Sequence, residues 1–399
     1  MKPRILCGLD IGTHSIKIVI AQKKEGEGGF EILGFAEEPS AGVRKGAVVN
    51  PEEVARRILT LKDRIENLSN QKIEGVAVNI GGSHIFTIPS HGVVAVSRAD
   101  GQISQEDVDR VLQAAQAISL SSNKEILDMF PQQFLVDGEG NIKGVVGMKG
   151  VRLEADVLTV CGFSPYIKNV TDAVLDAGLE IEDMVSSPLM SSPAVLTPQQ
   201  KELGAAVVDI GAGTTGLAVY EEGDLIHTAI FPVGSANITN DIAIGLRAEP
   251  DIAERIKKEF GAHGGTKGKR FQIEVPGGKP LILPQKMIGH IMEARIREIL
   301  QLVNKEFKKI SRQGMLPGGV ILVGGGSKLP QIVDIAKREL RLTVRLGTLY
   351  GVINPPLDST FLGAMGLIMG RKDSSDQGRS TVASNLLQKM KKMFRVFVP

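Results

Sequence analysis

From Arg4 to Gly12 an apolar run is broken only near its end, by Asp10, the pattern of a buried strand that stops at a polar turn. Apolar residues resume from Ser15 to Gln22, which predicts a second strand and a hairpin around Gly12 to His14. After Pro51, Val54, Ile58, Leu61 and Ile65 recur at the spacing of one helix face. Glu74 to Gly82 then reads as a buried strand closing on glycine. Beyond Ser83 the texture changes. A helix from Ser104 to Ile118 starts with Ser104 as N-cap and acids in its first turn. β-like runs follow at Lys124 to Val136, Gly144 to Met148 and Glu154 to Thr159, suggesting a small α+β insertion. A helix beginning at Ser164 leads to Gly178, and a Ser/Pro-rich segment, Ser186 to Thr197, crosses into the second half.

There the opening pattern returns. From Lys201 the chain reads as three successive strands with turns at Gly211 to Thr214 and Glu222 to Asp224. A helical stretch, Asp251 to Phe260, precedes a Gly/Lys-rich loop from Gly261 to Arg270 and a long helix from Lys286 to Lys309. A buried strand, a glycine turn at Gly324 to Gly326 and a helix starting near Leu329 complete the pattern. The triplet Asp-Ile-Gly occurs at Asp10 and at Asp209, 199 residues later. Two halves that each begin with strand, polar turn and strand indicate an internal duplication, with a period far too long for a solenoid. The expected architecture is α/β, with two similar lobes facing each other across a cleft.

Composition narrows the class. At 399 residues, two or three domains are expected, and 42% hydrophobic with 23% charged residues is a globular balance. Cys7 and Cys161 are the only cysteines, so no disulfide framework is readable. Asp10 interrupts the first apolar run, so it is not read as a signal peptide, and no run of 18 apolar residues suggests a spanning helix. The net charge of +2 is unevenly placed: no acid follows Asp376, and the five bases after it leave −3 on the rest of the chain. With no Trp and 3 Tyr there are no basic patches interleaved with aromatics, so no nucleic-acid partner is expected.

The glycine turns suggest phosphate chemistry. In a tight hairpin, successive backbone N–H groups can converge on one concavity and form an anion nest. Gly12, Gly211 and Gly213 would let a phosphate approach the backbone. Thr13, Ser15, Thr214 and Thr215 offer hydroxyl donors and Lys17 a charge, while His14 reads either as a phosphate contact or as an exposed loop histidine. Asp10 and Asp209 would hold Mg²⁺ through water, since that ion keeps much of its hydration shell. Gly324, Gly325 and Gly326 offer a platform for a nucleoside, and Glu254 and Lys257, three apart on one helix face, suit a ribose or base. The six histidines are scattered, and there is neither a Gly-Lys-Ser/Thr phosphate loop nor a Gly-x-Ser-x-Gly elbow. No catalytic residue is identified.

Residues 373–383 are polar and Ser/Gly-rich, the composition of a flexible linker. In residues 384–399, Leu386, Leu387, Met390, Met393, Phe394 and Phe397 share a helix face, with Lys389, Lys391, Lys392 and Arg395 flanking or opposing it. Such a helix suits in-plane binding to an anionic membrane, with roughly 1 kcal/mol from each basic residue near the surface; a helix docked on the protein's own core and a partner-binding helix are the alternatives.

These features resemble the actin/DnaK-type chaperone/sugar-kinase ATPase superfamily and, within it, the FtsA family of bacterial cell-division proteins. The resemblance is carried by RKGAVVNPEEV, ISQEDVDRVLQAA, FPQQFLVDGEGNIKGVVGMKGVRLEADV, ELGAAVVDIGAGTTGLAVY, NITNDIAIGL, AERIK, GGVILVGGGSKLP and the tail. It implies a duplicated actin-like ATPase fold with a first lobe at 1–82, 162–196 and 355–372 and an inserted subdomain at 83–161. The second lobe would span 197–233 and 304–354, with a subdomain at 234–303. It further implies ATP with Mg²⁺ as ligands, adds Gly234, Asn237 and Lys328 to the nucleoside positions, and predicts at most slow hydrolysis. The implied partners are the FtsZ C-terminal tail, received near Lys286 and Arg295, further copies of the chain in a filament, an anionic membrane, and later division proteins through 83–161. The location would be the cytoplasmic face of the cell membrane at the division site, with the protein peripheral. Pro188 and Pro193 depart from the family's crossing helix and predict a stiffer or broken hinge. A PilM-like pilus assembly protein and a small-molecule kinase of the same fold remain as alternatives.

Overall fold

The computed structural model describes residues 5–24, 29–262, 270–274, 280–352 and 358–371. The first hairpin forms as expected, Ile5–Ile11 pairing antiparallel with Ser15–Lys23. Phe30–Pro39 joins outside the second strand, while Gly75–Ile80 and then Glu180–Ser186 extend the sheet in parallel on the other side. The second half repeats this order. Ala205–Ile210 pairs antiparallel with Thr215–Glu221, which pairs with Asp224–Phe231. Gly319–Val323 and Val344–Leu346 lie in parallel beyond Ala205–Ile210. Each sheet therefore has five strands in one common order, with the aspartate strand in the middle.

The central strands are apolar on both faces because helices cover both. Helix Pro51–Ser69 starts where Asn50 accepts from the Glu53 N–H, with proline at its first position and acids in its first turn. It buries Val54, Ile58, Leu61 and Ile65 against the first sheet, each worth roughly 1.5–3 kcal/mol on transfer from water. Helix Leu362–Met369 covers the opposite face, packing Ala364, Met365 and Ile368 on Val19 and Ala21. In the second lobe, Gln285–Lys309 buries Ile288, Met292, Ile296, Ile299, Leu300, Val303 and Phe307, alongside helices Ser235–Leu246 and Pro250–Ala262.

The insertion has its own sheet, in the order Phe86–Ala95, Arg152–Phe163, Lys124–Val136, Glu139–Ile142. Helix Gln105–Ala115 covers it, started by a reciprocal Ser104–Asp107 capping box. The insertion also touches the second lobe. Gln132 Nε2 donates to the Leu225 carbonyl at 2.8 Å, Lys143 pairs with Asp224 at 2.9 Å, and Phe130 packs against the cores of both lobes.

Two local expectations are corrected, and the crossing segment is broken as its prolines predict. Gly144 to Met148 is not a strand: Gly147 takes φ +91° and the Met148 N–H returns to Val145 O, so the segment turns. No helix starts at Leu329. Gly325–Lys328 forms a 3₁₀ turn, Pro330 has no N–H to donate, and the α-helix begins at Ile332 after Gln331 at φ +58°. The crossing segment is two four-residue helices, Ser187–Met190 and Ser192–Val195, with Pro188 and Pro193 in their first turns, where proline is tolerated. Strands Phe30–Pro39, Phe86–Ala95 and Glu180–Ser186 and helices Ser235–Leu246 and Leu362–Met369 add to what the pattern predicted. The tail, residues 372–399, and residues 263–269 of the Gly/Lys-rich loop lie outside the described residues. No helix among the described residues is long and apolar enough to cross a membrane.

Helix Leu362–Met369 meets the crossing segment at a point with no room for a side chain, since a Cβ on Gly366 would lie 1.9 Å from Met190 O. Gly366→Ala should therefore lower unfolding free energy by about 1–3 kcal/mol, the range for overpacking, as measured by urea denaturation.

Candidate functional site

The two Asp-Ile-Gly turns have the same local closure. The Gly12 N–H donates to Ser15 O at 3.1 Å, and the Gly211 N–H donates to Thr214 O at 2.9 Å. Both turns open into one cavity of about 680 Å³, lined by both lobes. They also meet: a Cβ on Gly213 would lie 2.7 Å from Thr13 Oγ1 and 3.0 Å from Lys45 Cα. Thr13 Oγ1 in turn accepts from the Gly46 N–H at 2.8 Å. The third glycine turn lies against the second aspartate, because Gly324, at φ +79°, leaves space for a Cβ only 2.3 Å from Asp209 Oδ1. Glycine is required there on both counts.

Of the residues singled out in the sequence, Asp10, Gly12, Thr13, His14, Ser15, Lys17, Asp209, Gly211, Thr214, Glu254, Lys257, Gly324, Gly325 and Lys328 line the cavity. Thr215, Gly213, Gly234, Asn237 and Gly326 do not. Thr215 is fully buried and its hydroxyl donates to Val233 O at 2.9 Å, so the expected phosphate donor is a wall contact. Thr215 is the first residue of its strand, paired with Ile210, and its hydroxyl is taken by the wall. Gly234 and Asn237 seat helix Ser235–Leu246 on the second turn, with the Asn237 side chain accepting from the Gly234 N–H at 3.0 Å and Ser235 N–H donating to Gly211 O at 2.9 Å. Gly326 packs on Ile210.

The floor of the cavity holds the two carboxylates. Burial pushes the Asp10 carboxyl above its ordinary range, opposed by the charge of Lys17. Burial, and next the nearby Asp10, push Asp209 up to about 7. The Lys17 ammonium donates to Ser15 Oγ at 2.8 Å. Two carboxylates facing one cavity, Asp10 buried and Asp209 half-buried, form an electrostatic deficit that a hard cation relieves. Among the described residues no group of three or more His, Cys, Asp or Glu is placed to hold a metal. That donor set fits Mg²⁺, which takes one or two carboxylates and completes its shell with water and phosphate oxygens.

On the opposite wall, Lys257 pairs with Glu254 at 2.6 Å and donates to Thr239 Oγ1 at 2.9 Å. Burial lowers the Lys257 pKa, while the carboxylate of Glu254 opposes the shift. At the rim, Lys328 pairs with Asp358 at 2.6 Å. His14 is exposed, and partial desolvation followed by the charge of Lys258 lowers its pKa. Lys286 is exposed on the first turn of the long helix. Arg295 is already engaged, making a forked pair with Asp241 at 2.7 and 2.8 Å.

The cavity contains polar residues that the sequence reading missed: Asn79, Ser187, Ser191 and the Asp358–Thr360 turn. Asn79 had a usable signal, as one amide within the apolar strand GVAVNI.

A family model described as cell division protein FtsA matches residues 206–362, and one described as the SHS2 domain inserted in FtsA matches residues 82–161. The cell division protein FtsA of Pseudomonas aeruginosa is 34% identical over 383 residues, covering 94% of this chain and 91% of the relative. That of Bacillus subtilis is 34% identical over 379 residues, covering 93% and 84%. Among solved structures, the PilM-PilN type IV pilus biogenesis complex aligns with a TM-score of 0.66 at 16% identity, covering 92% of this chain and 98% of that one. MreB5 of Spiroplasma citri bound to ADP aligns at 0.54 with 12% identity, covering 97% and 98%. These structural likenesses establish the two-lobed actin-like fold. The sequence identity separates the FtsA relatives from the pilus protein.

The raised Asp209 pKa has a signed consequence for stability. The folded form retains a proton that the unfolded chain has released above about pH 4. This contribution is complete below the unfolded pKa and is lost as pH rises through about 7. Without added cations, the protein should lose thermal stability between about pH 4 and 7. Asp209→Asn should flatten that decline, as measured by melting temperature across the same range.

Proposed function

The chain belongs to the FtsA family of cell division proteins, and from that premise we propose that it binds ATP between its lobes and tethers FtsZ filaments to the membrane. It does so while assembling with further copies of itself at the cytoplasmic face. The observation that carries the ATP reading is the convergence of both Asp-Ile-Gly turns and the Gly324–Gly326 loop on one cavity of about 680 Å³. Backbone N–H groups of the two turns, with Lys17, Ser15 and Thr214, receive the phosphates. Glu254, Lys257 and the Gly324–Gly325 wall receive the nucleoside. Asp10 and Asp209 hold Mg²⁺, which offsets phosphate charge when bound. ATP acts chiefly as a structural ligand that holds the lobes together, with hydrolysis at most slow.

The other assignments rest on the family and on charge placement. Residues 384–399 attach the protein to anionic lipid, the insertion meets later division proteins, and the lobe carrying helix Gln285–Lys309 takes the FtsZ C-terminal tail. Lys286 is the cleaner contact there. Arg295 is already paired with Asp241, so Arg295→Glu would set like charges together and disturb the lobe itself.

Sedimentation with anionic liposomes in ATP and Mg²⁺ tests the tether. The intact protein should carry FtsZ into the pellet, and removal of residues 379–399 should leave both in the supernatant. Full pelleting of the truncated chain would refute the membrane assignment. Lys286→Glu should weaken binding of an FtsZ C-terminal peptide, most clearly at low salt, as read by fluorescence anisotropy.

A further inference from the structure

The duplication allows the surroundings of the two aspartates to be compared position by position. Strands Gly75–Ile80 and Gly319–Val323 occupy the same place in their sheets, each parallel to an aspartate strand. In the second half, Asp209 stands opposite Val323. In the first half, Gly8 and Leu9 stand opposite Ala77 and Val78, so the next position along from them sets Asn79 beside Asp10. One aspartate has an amide for a neighbour and the other an isopropyl group.

Asn79 is buried, at 3% exposure, and its amide is used at both ends. Its Oδ1 accepts from the Ile11 N–H at 2.7 Å. That backbone donor determines which end of the amide faces which way, and turns Nδ2 toward Asp10. Nδ2 then donates to Asp10 Oδ1 at 3.1 Å and to Ser187 Oγ at 3.1 Å. Three elements meet on this one side chain: the backbone of the first turn, its carboxylate, and the first residue of the crossing segment. A buried amide is costly unless satisfied, and this one is satisfied only in the conformation that holds Asp10 in place. Val323 can offer none of these contacts. Asp209 instead receives a long hydrogen bond from Ser191 at 3.5 Å.

We infer that Asn79 is a positioning residue: it locks Asp10 as the fixed anchor for the cation that accompanies ATP and ties that anchor to the crossing segment, leaving Asp209 as the adjustable partner. This rests on the ATP reading above, and it assigns the two halves of a duplicated site unequal roles.

Binding of a fluorescent ATP analogue to the full chain, in Mg²⁺ and separately in EDTA, tests it. Asn79→Val installs the residue that the second half uses. It should lower affinity in Mg²⁺ by at least about tenfold, the scale of a hydrogen bond to a charged group, and leave affinity in EDTA unchanged. Asn79→Ser, too short to reach both Ile11 and Asp10, should do the same and serves if the valine variant does not fold. Equal losses in both conditions would reduce Asn79 to a packing role and overturn the inference, as would Mg²⁺ enhancement of wild-type size in either folded variant. Failure of the unmodified protein to bind the analogue in either condition would instead overturn the ATP reading itself.

Discussion

Two carboxylates lining one cavity, the buried Asp10 from one lobe and the half-buried Asp209 from the other, set the terms for the rest of the molecule. Burial raises the cost of ionising both; Glu37 adds to it at Asp10 and Asp10 adds to it at Asp209. The charge of Lys17 offsets part of that cost. On the ATP reading, a divalent cation would offset more of it, and the charge pair would then make the lobe interface responsive to the ligand.

The remaining structure turns that local electrostatics into a defined geometry. Each aspartate ends the middle strand of a five-stranded sheet, so its backbone is held by neighbours on both sides. Close contacts restrict the lobes further: Gly213 abuts Thr13, Gly216 packs on Pro188, and Gly324 leaves no space beside Asp209. The crossing segment adds its own bonds, with Arg345 donating to Val195 O at 2.9 Å and the Tyr350 N–H donating to Ala194 O at 2.9 Å. The insertion leaves the first lobe in sequence yet holds the second through Gln132, Lys143 and Phe130. Any change in lobe separation must therefore shift the insertion or break these contacts.

How much of this was legible in the sequence depended on whether a signal was local. The twin hairpins were readable because an apolar run ending in Asp-Ile-Gly has the same appearance in isolation as in the fold. Helix Pro51–Ser69 was readable for the same reason, with its cap, proline and apolar stripe all within one segment. Thr215 was misread because hydroxyl type was weighed without its place in the strand, where the wall takes the hydroxyl. Gly144 to Met148 was misread because apolar content was weighed without the two glycines that turn it. Asn79 carried a local signal, an amide within an apolar strand, but its role lay beyond local reading. Its importance comes from a parallel pairing between strands separated by the hairpin, a third strand and a helix, and from Ser187 more than one hundred residues away. Such partners become visible only once the sheet is assembled.

The unequal neighbours of the two aspartates bear on what a bound nucleotide would do. A symmetric clamp would hold its ligand equally from both lobes and give no direction to closure. With Asp10 tied to Asn79 and Asp209 beside an apolar valine, the inferred roles make the first lobe the fixed side of the site and the second the adjustable one. On the ATP reading, the stabilisation available from occupancy is set by concentration relative to affinity, about 2.7 kcal/mol at one hundred times Kd. That amount is comparable to one well-made buried contact and small against the two lobe cores. It is enough to shift the spacing of the lobes and too little to reorganise either, which on the proposed assembly reading would suit a subunit whose interfaces must match those of its neighbours.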